Sequence, residues 1–249
     1  MDMQKWIYLS PHMDDVAISC GGLVWEQVQA GDLVEVWTIC TGDPPSGPLS
    51  FFAQELHTRW QTGREAASIR RQEDRQACLE LGAAWRHMSI PDCIYRKEAD
   101  GSHPYASEQA LFGDLQPADK VLIEIISQDI LVHLSGQDIL VSPLAIGRHV
   151  DHQLTRAAAE ATGWPLWYYA DYPYAHTRQA EILKLAESGW GTKSFSISDH
   201  ALQVWARAVA AHRSQISSFW TGKEDLLSDL RVYREQMGGV RLWRTCVPL

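Results

Sequence analysis

Apolar and polar positions along the chain alternate between two periods. Short runs dominated by apolar, β-branched and aromatic residues stand at Trp6–Leu9, Leu33–Cys40, Asp138–Ser142 and Leu166–Ala170, and they predict buried strands. Between them, apolar residues recur three and four apart and predict helices. These run from Ser19 to Ala30, stopped by Gly31, from Thr58 to Leu81, stopped by Gly82, within Leu115–Leu134, and from just after His149 through Ala159. The last third predicts helices over roughly 176–188, 199–214 and 223–236 and a short strand near Leu242. No repeat, low-complexity tract or Gly/Ser linker divides the chain. The alternation therefore predicts an α/β fold in a single domain over 1–249: a Rossmann-like, mostly parallel sheet flanked by helices on both faces. Ligands of such sheets gather at the carboxyl ends of strands, which directs attention to the segments after Leu9, Cys40 and Ser142.

Composition narrows the function classes. With 249 residues, 45% hydrophobic and 21% charged, the chain has the make-up of an ordinary globular protein rather than a disordered one. Its 22 basic and 31 acidic residues give a net charge of −9 with no Lys/Arg block, which argues against nucleic acid as a partner. No stretch approaches the ~18 apolar residues of a membrane helix. The start, Met1 to Ile7, lacks the apolar run of a signal peptide. Cys20, Cys40, Cys78, Cys93 and Cys246 are scattered without a CxxC pair, as expected of reduced thiols in a cytoplasmic protein. Gly21-Gly22 lacks the G-x-G-x-x-G spacing of a dinucleotide loop.

The chemistry concentrates in two clusters. After the first predicted strand stands Ser10-Pro11-His12-Met13-Asp14-Asp15, where a histidine and a carboxylate can ligate a metal and a neighbouring carboxylate can act as a base. The same acids would also suit a helix N-cap. After a later strand stands Gly147-Arg148-His149-Val150-Asp151-His152, whose histidines, three apart at a helix start, lie on neighbouring faces. Both clusters fall at predicted carboxyl ends of parallel strands, although more than a hundred residues separate them. Two histidines and a carboxylate with an open position suit a catalytic zinc, and iron(II) accepts the same set.

These motifs resemble those of the LmbE-like, or PIG-L, zinc-dependent N-deacetylases, which carry His-x-Asp-Asp after the first strand and His-x-Asp-His later. Here they are His12-Met13-Asp14-Asp15 and His149-Val150-Asp151-His152. Thr41-Gly42, Arg70-Arg71-Gln72-Glu73, Pro91 to Arg96, Asp171 to Tyr174 and Ala211 to Gln215 extend the resemblance over nearly the whole chain. It implies that His12, Asp15 and His152 bind the metal, that Asp14 is the general base, that His149 is a second catalytic group, and that Asp151 orients or tunes His149. An adjacent carboxylate favours imidazolium, so the expectation is a protonated His149 facing the oxyanion. Some members place a tyrosine two residues before the first histidine of the second motif to aid the oxyanion; here that position is Gly147. The implied reaction removes an N-acetyl group from an amino sugar or glycoconjugate and releases acetate. A binding domain without turnover, or a metal-assisted phosphoesterase, are the competing readings. Trimers and hexamers occur among such proteins, so a homo-oligomer is one expectation.

Further out, Arg70 and Asp92 are candidate substrate contacts, with an exposed helix arginine and a capping aspartate as their ordinary alternatives. Asp92, Tyr95 and Arg96 lie in a loop that follows a predicted strand near the same crevice. His176 is a candidate pocket residue, and Trp167, Tyr168 and Tyr172 offer flat faces for a sugar, with core packing as the competing use. The other histidines, His57, His87 and His212 among them, lack partners at ligand spacing.

Overall fold

The computed structural model describes residues 3–187 and 189–245, so Met1, Asp2, Ser188 and residues 246–249, Cys246 among them, lie outside the described residues. Its strands are β1 (Lys5–Ser10), β2 (Leu33–Thr38), β3 (Ala84–His87), β4 (Ile139–Pro143), β5 (Leu166–Tyr169), β6 (Gly191–Phe195) and β7 (Val240–Arg244). Its longer helices begin with α1 (Asp15–Gln29), α2 (Phe51–Arg59) and α3 (Ala66–Leu81), with a single turn, α4 (Glu108–Leu111), before α5 (Lys120–His133) and α6 (Val150–Ala161). They end with α7 (Tyr174–Thr177), α8 (Gln179–Glu187), α9 (Asp199–Ala211), α10 (Arg213–Ile216) and α11 (Lys223–Met237).

All seven strands join one sheet in the order β3-β2-β1-β4-β5-β7-β6. The first five are parallel; β7 runs antiparallel between β5 and β6. The expected mostly parallel α/β sheet is thus present, with an antiparallel pair at one edge. β1 is central because it can be: Ile7, Tyr8 and Leu9 are completely buried, as a strand covered on both faces requires. From β1 the chain steps through α1 to β2, whereas from β4 it steps through α6 to β5 in the opposite direction. Right-handed crossovers then put α1 and α6 on opposite faces, with α3 and α9 packed beside α1 and α5 beside α6. The reversal of direction opens a crevice at the carboxyl ends of β1 and β4. Gly21 and Gly22 serve packing in α1. A Cβ at either would come within 2.7 Å of the Trp205 ring of α9, so only glycine admits that indole, whose Nε1–H donates to Ala17 O at 2.7 Å.

The structure departs from the predicted elements for identifiable reasons. α1 begins at Asp15, not Ser19, because Ser10 caps it from the preceding strand end: Val16 N donates to Ser10 Oγ at 3.2 Å. The predicted helix over Thr58–Leu81 is two helices. Ser50 starts the first by accepting from Ala53 N at 3.1 Å, and left-handed Gln61 and Gly63 (φ 56° each) break the run before α3. β3 and β6 are edge strands of largely exposed residues and lack the apolar runs that mark β1, β2, β4 and β5. The helix predicted over roughly 176–188 is divided at Arg178 (φ −117°, ψ 38°). No helix among the described residues is long and apolar enough to cross a membrane.

Candidate metal and active site

The turn from β1 into α1 answers the competition between capping and chemistry. Asp14 occupies the N-cap position of α1, yet its side chain makes no capping bond, since Ser10 serves that helix end. Asp15 folds back instead: its Oδ2 accepts from the His12 backbone N at 2.8 Å and lies 3.2 Å from His12 Nδ1. From the other side of the crevice, His152 brings Nε2 to 3.4 Å from Asp15 Oδ1. One carboxylate thus faces two imidazole nitrogens from two separate strands' ends. Ring nitrogens of His12, His149 and His152 lie within 4.8 Å of one another.

Each of those two imidazoles is fixed from behind by a carboxylate. His12 Nε2 lies 2.9 Å from Asp151 Oδ2, and His152 Nδ1 lies 2.5 Å from Asp171 Oδ1. A carboxylate on the far nitrogen orients a metal-binding histidine and raises its basicity. Two imidazoles so held, with Asp15 between them, are a donor set that fits a divalent metal. Sequence reasoning placed Asp171 only in a family motif and gave it no role. The chain runs straight from β5 into it, and its Oδ2 also accepts from Ile146 N at 2.9 Å, which anchors the loop leading to His149. In that loop Ala145 (φ 56°), Gly147 (φ 93°) and Arg148 (φ 64°) are all left-handed, a concentration of backbone strain beside the site.

The two adjacent acids have opposite electrostatics. Burial raises the Asp14 carboxyl above its ordinary pKa, with Arg70 pulling the other way. Burial would raise Asp15 as well, but the charge of His152 and the bonds from both histidines hold it well below the carboxylate range. Burial pulls His12 and His152 down, and their carboxylate partners more than reverse this. His12 is raised well above its ordinary value, and His152 is raised to about 10.

Two expectations are corrected. Asp151 does not direct its carboxylate at His149; that group is taken by His12, by Cys93 N at 3.1 Å and by Arg96. The residue orients His149 through the backbone, Asp151 N donating to His149 Nδ1 at 3.2 Å, and acts on its pKa only through charge. The expected imidazolium is disfavoured: burial and the charge of His12 lower the His149 pKa to about 3, against the upward pull of Asp151. Since Nδ1 accepts a hydrogen bond, the neutral ring carries its proton on Nε2.

These groups open into a pocket of about 250 Å³. Arg70 is no exposed helix residue. It is buried in the pocket wall, 3.5 Å from Asp14 and 3.8 Å from Asp92, with its guanidinium over the Trp60 ring at 5.0 Å. Asp92 takes the capping role: Oδ1 accepts from Ile94 N at 3.2 Å, while Oδ2 turns toward Arg70 in the pocket wall. The flat faces around the pocket are Phe52, Trp60, Phe112, Tyr174 and Phe219. Tyr168 and Tyr172 are core residues, Trp167 lies under Arg244, and His176 is exposed; none of them lines the pocket. His57 and His87 pair with Tyr95 and Asp74, at 2.6 and 2.8 Å. A Cβ on Gly147 would meet the Tyr174 ring at 2.6 Å, so this glycine makes room for a tyrosine arriving from another element.

Comparison with known proteins agrees with this geometry. The profile of the family described as GlcNAc-PI de-N-acetylase, PIG-L, matches residues 7–162. The chain is 28% identical to a 2'-N-acetylparomamine deacetylase of Niallia circulans, over 98% of this chain and 94% of the relative. Its fold is similar to the crystal structure of the zinc-inhibited form of teicoplanin deacetylase Orf2, with a TM-score of 0.81 and 28% identity, covering 96% of this chain and 97% of that one. It is also similar to the A40926 pseudoaglycone deacetylase, with a TM-score of 0.76 and 26% identity over 98% and 97%.

Proposed function

The chain belongs to the PIG-L, or LmbE-like, family and is a metal-dependent N-deacetylase; from that premise we propose that zinc serves it, and that it removes the acetyl group from an amino sugar carried on a larger glycoconjugate. The observation that carries this reading is Asp14, a buried carboxylate with no capping duty, beside the donor set His12, Asp15 and His152. The substrate reading draws on the relatives, which are named as deacetylases of 2'-N-acetylparomamine, of teicoplanin and of the A40926 pseudoaglycone. The ring of aromatic faces around the pocket suits an apolar or aromatic aglycone beyond the sugar. A phosphoesterase would want a free basic cradle, whereas Arg70 is already neutralised between Asp14 and Asp92.

His12, Asp15 and His152 would hold the metal, whose chemistry when bound is to acidify water and polarise the amide carbonyl. Asp14 accepts the proton of the attacking water, and its raised pKa makes it a better base than an exposed carboxylate. Oxygen adds to the acetyl carbon, and the carbonyl oxygen gains the negative charge. His149 Nε2–H, fixed in that tautomer by the Asp151 amide, and the Tyr174 hydroxyl stabilise this oxyanion as neutral donors. Asp14 then returns its proton to the amine nitrogen as the C–N bond breaks, leaving acetate and a free amine. Arg70 and Asp92 hold sugar hydroxyls at the pocket wall.

The test separates base from ligand. Asp14→Asn retains its metal while acetate release falls by about 10²–10⁴, and His152→Ala loses the metal. Equal loss of metal in both variants contradicts these roles. Metal analysis of the purified wild type distinguishes zinc from iron(II), since both accept this donor set.

A further inference from the structure

Asp151 is completely buried and accepts three hydrogen bonds. Oδ2 takes His12 Nε2 at 2.9 Å and Cys93 N at 3.1 Å, and Oδ1 takes Arg96 Nη2. The Arg96 guanidinium is used on its other edges too. Nε donates to Pro91 O at 3.2 Å, and Nη1 donates to Asp119 Oδ1 at 3.3 Å. Asp119 in turn accepts the Tyr105 hydroxyl, and that oxygen accepts from Gln116 N at 3.0 Å. From Tyr105 to Asp151, every member of this series is less than a tenth exposed. None of Tyr105, Asp119 and Arg96 lines the catalytic pocket. Arg96 and Asp119 instead line a separate cavity of about 430 Å³ on the other side of the Pro91–Lys97 segment.

A guanidinium presents its donors in a rigid plane and so fixes the plane of a carboxylate it holds. With Asp151 fixed, the position of Oδ2 is fixed, His12 Nε2 must face it, and Nδ1 must face Asp15. We propose that Arg96 is a positioning residue for the metal site, acting through Asp151 on His12, and that metal affinity is therefore set partly by Asp119 and Tyr105, outside the pocket. This rests on the reading of His12 as a ligand.

The test is zinc affinity, measured by competition with a chelating dye, together with the absorption spectrum of the Co²⁺-loaded protein. Arg96→Lys keeps the charge but loses the fork, and is expected to weaken zinc by about 10–100-fold, the usual range for an outer partner of a ligand. Tyr105→Phe removes one hydroxyl and keeps the ring, so it tests the same series without endangering the fold; about tenfold is expected. Both variants shift the Co²⁺ spectrum, and at saturating zinc kcat recovers with KM unchanged. Lowered thermal midpoints with wild-type zinc affinity and a wild-type Co²⁺ spectrum mean that Arg96 only supports the fold, and overturn the proposal. Zinc affinity and the Co²⁺ spectrum are read without turnover. Graded zinc losses in a protein that releases no acetate support the positioning role while refuting the hydrolase reading.

Discussion

Replacing Asp171 by alanine removes the carboxylate behind His152, and its effects have two separable magnitudes. The side chain is 1% exposed and accepts from His152 Nδ1 at 2.5 Å and Ile146 N at 2.9 Å. Each buried donor left without a partner costs about 1–3 kcal/mol, so the two together cost roughly 2–6 kcal/mol of stability. A water admitted to the vacated space moves the cost to the lower half of that range. For a chain of this size each kcal/mol lowers the melting temperature by about 2–4 °C, so a fall of roughly 4–16 °C is expected by thermal denaturation. The second effect is on the metal. Freed from Asp171, the His152 ring is no longer aimed at Asp15, and zinc affinity should fall about 10–100-fold, or about 1.4–2.7 kcal/mol. Zinc titration against a chelator reads this directly. Asp171→Asn keeps one acceptor, offers an N–H to the other donor, and should fall between alanine and wild type. A folded Asp171→Ala protein with zinc affinity within about threefold of wild type refutes the argument.

Three further outcomes follow from the same geometry. Because His152 is raised to about 10 and His12 well above its ordinary value, both carry a proton at pH 7.5 that an incoming cation must displace, so zinc affinity rises with pH. Calorimetry in buffers of different ionisation enthalpy should give about two protons released per zinc, and release near zero contradicts it. Tyr174→Phe keeps the ring over Gly147 but removes the hydroxyl, and should lower kcat by about 10²-fold with zinc affinity unchanged; an unaltered kcat removes Tyr174 from the chemistry. Gly147→Ala forces a Cβ into that ring at a φ of 93°, and should cost about 1–3 kcal/mol in chemical denaturation while lowering kcat as Tyr174 shifts. A neutral alanine at 147 refutes the packing argument.

What was legible in the sequence was whatever repeats a local rule. Apolar runs marked β1, β2, β4 and β5, and the alternation with helices placed His12, Asp15 and His152 at one end of one sheet. β6 was missed because an edge strand carries no apolar run, β3 was legible only as a strand without bounds before Asp92, and the break before α3 was missed because it rests on the left-handed conformation of Gln61. At the site, His149 and Asp151 were legible as members of one cluster, but not the direction of either side chain. Adjacency in sequence suggested that the acid tunes its neighbour. The helix start turns the Asp151 carboxylate instead toward His12, 139 residues away, and toward Arg96. Asp171 and Tyr174 stood in the sequence only as members of a family motif without roles, and tertiary structure supplies their places, one by its bond to His152 and the other by the space that Gly147 leaves.

In the proposed reaction this chain hydrolyses an N-acetyl amino sugar with a divalent metal held by His12, Asp15 and His152. That reaction is tested most directly by measuring acetate released from N-acetylated amino-sugar glycosides with aromatic aglycones, using protein stripped by a chelator and then restored with one equivalent of zinc. The stripped protein should release no acetate, restoration should bring release back, and restored His152→Ala should give none. Equal release with and without metal, or none from zinc-loaded wild type across such glycosides, contradicts the proposed reaction.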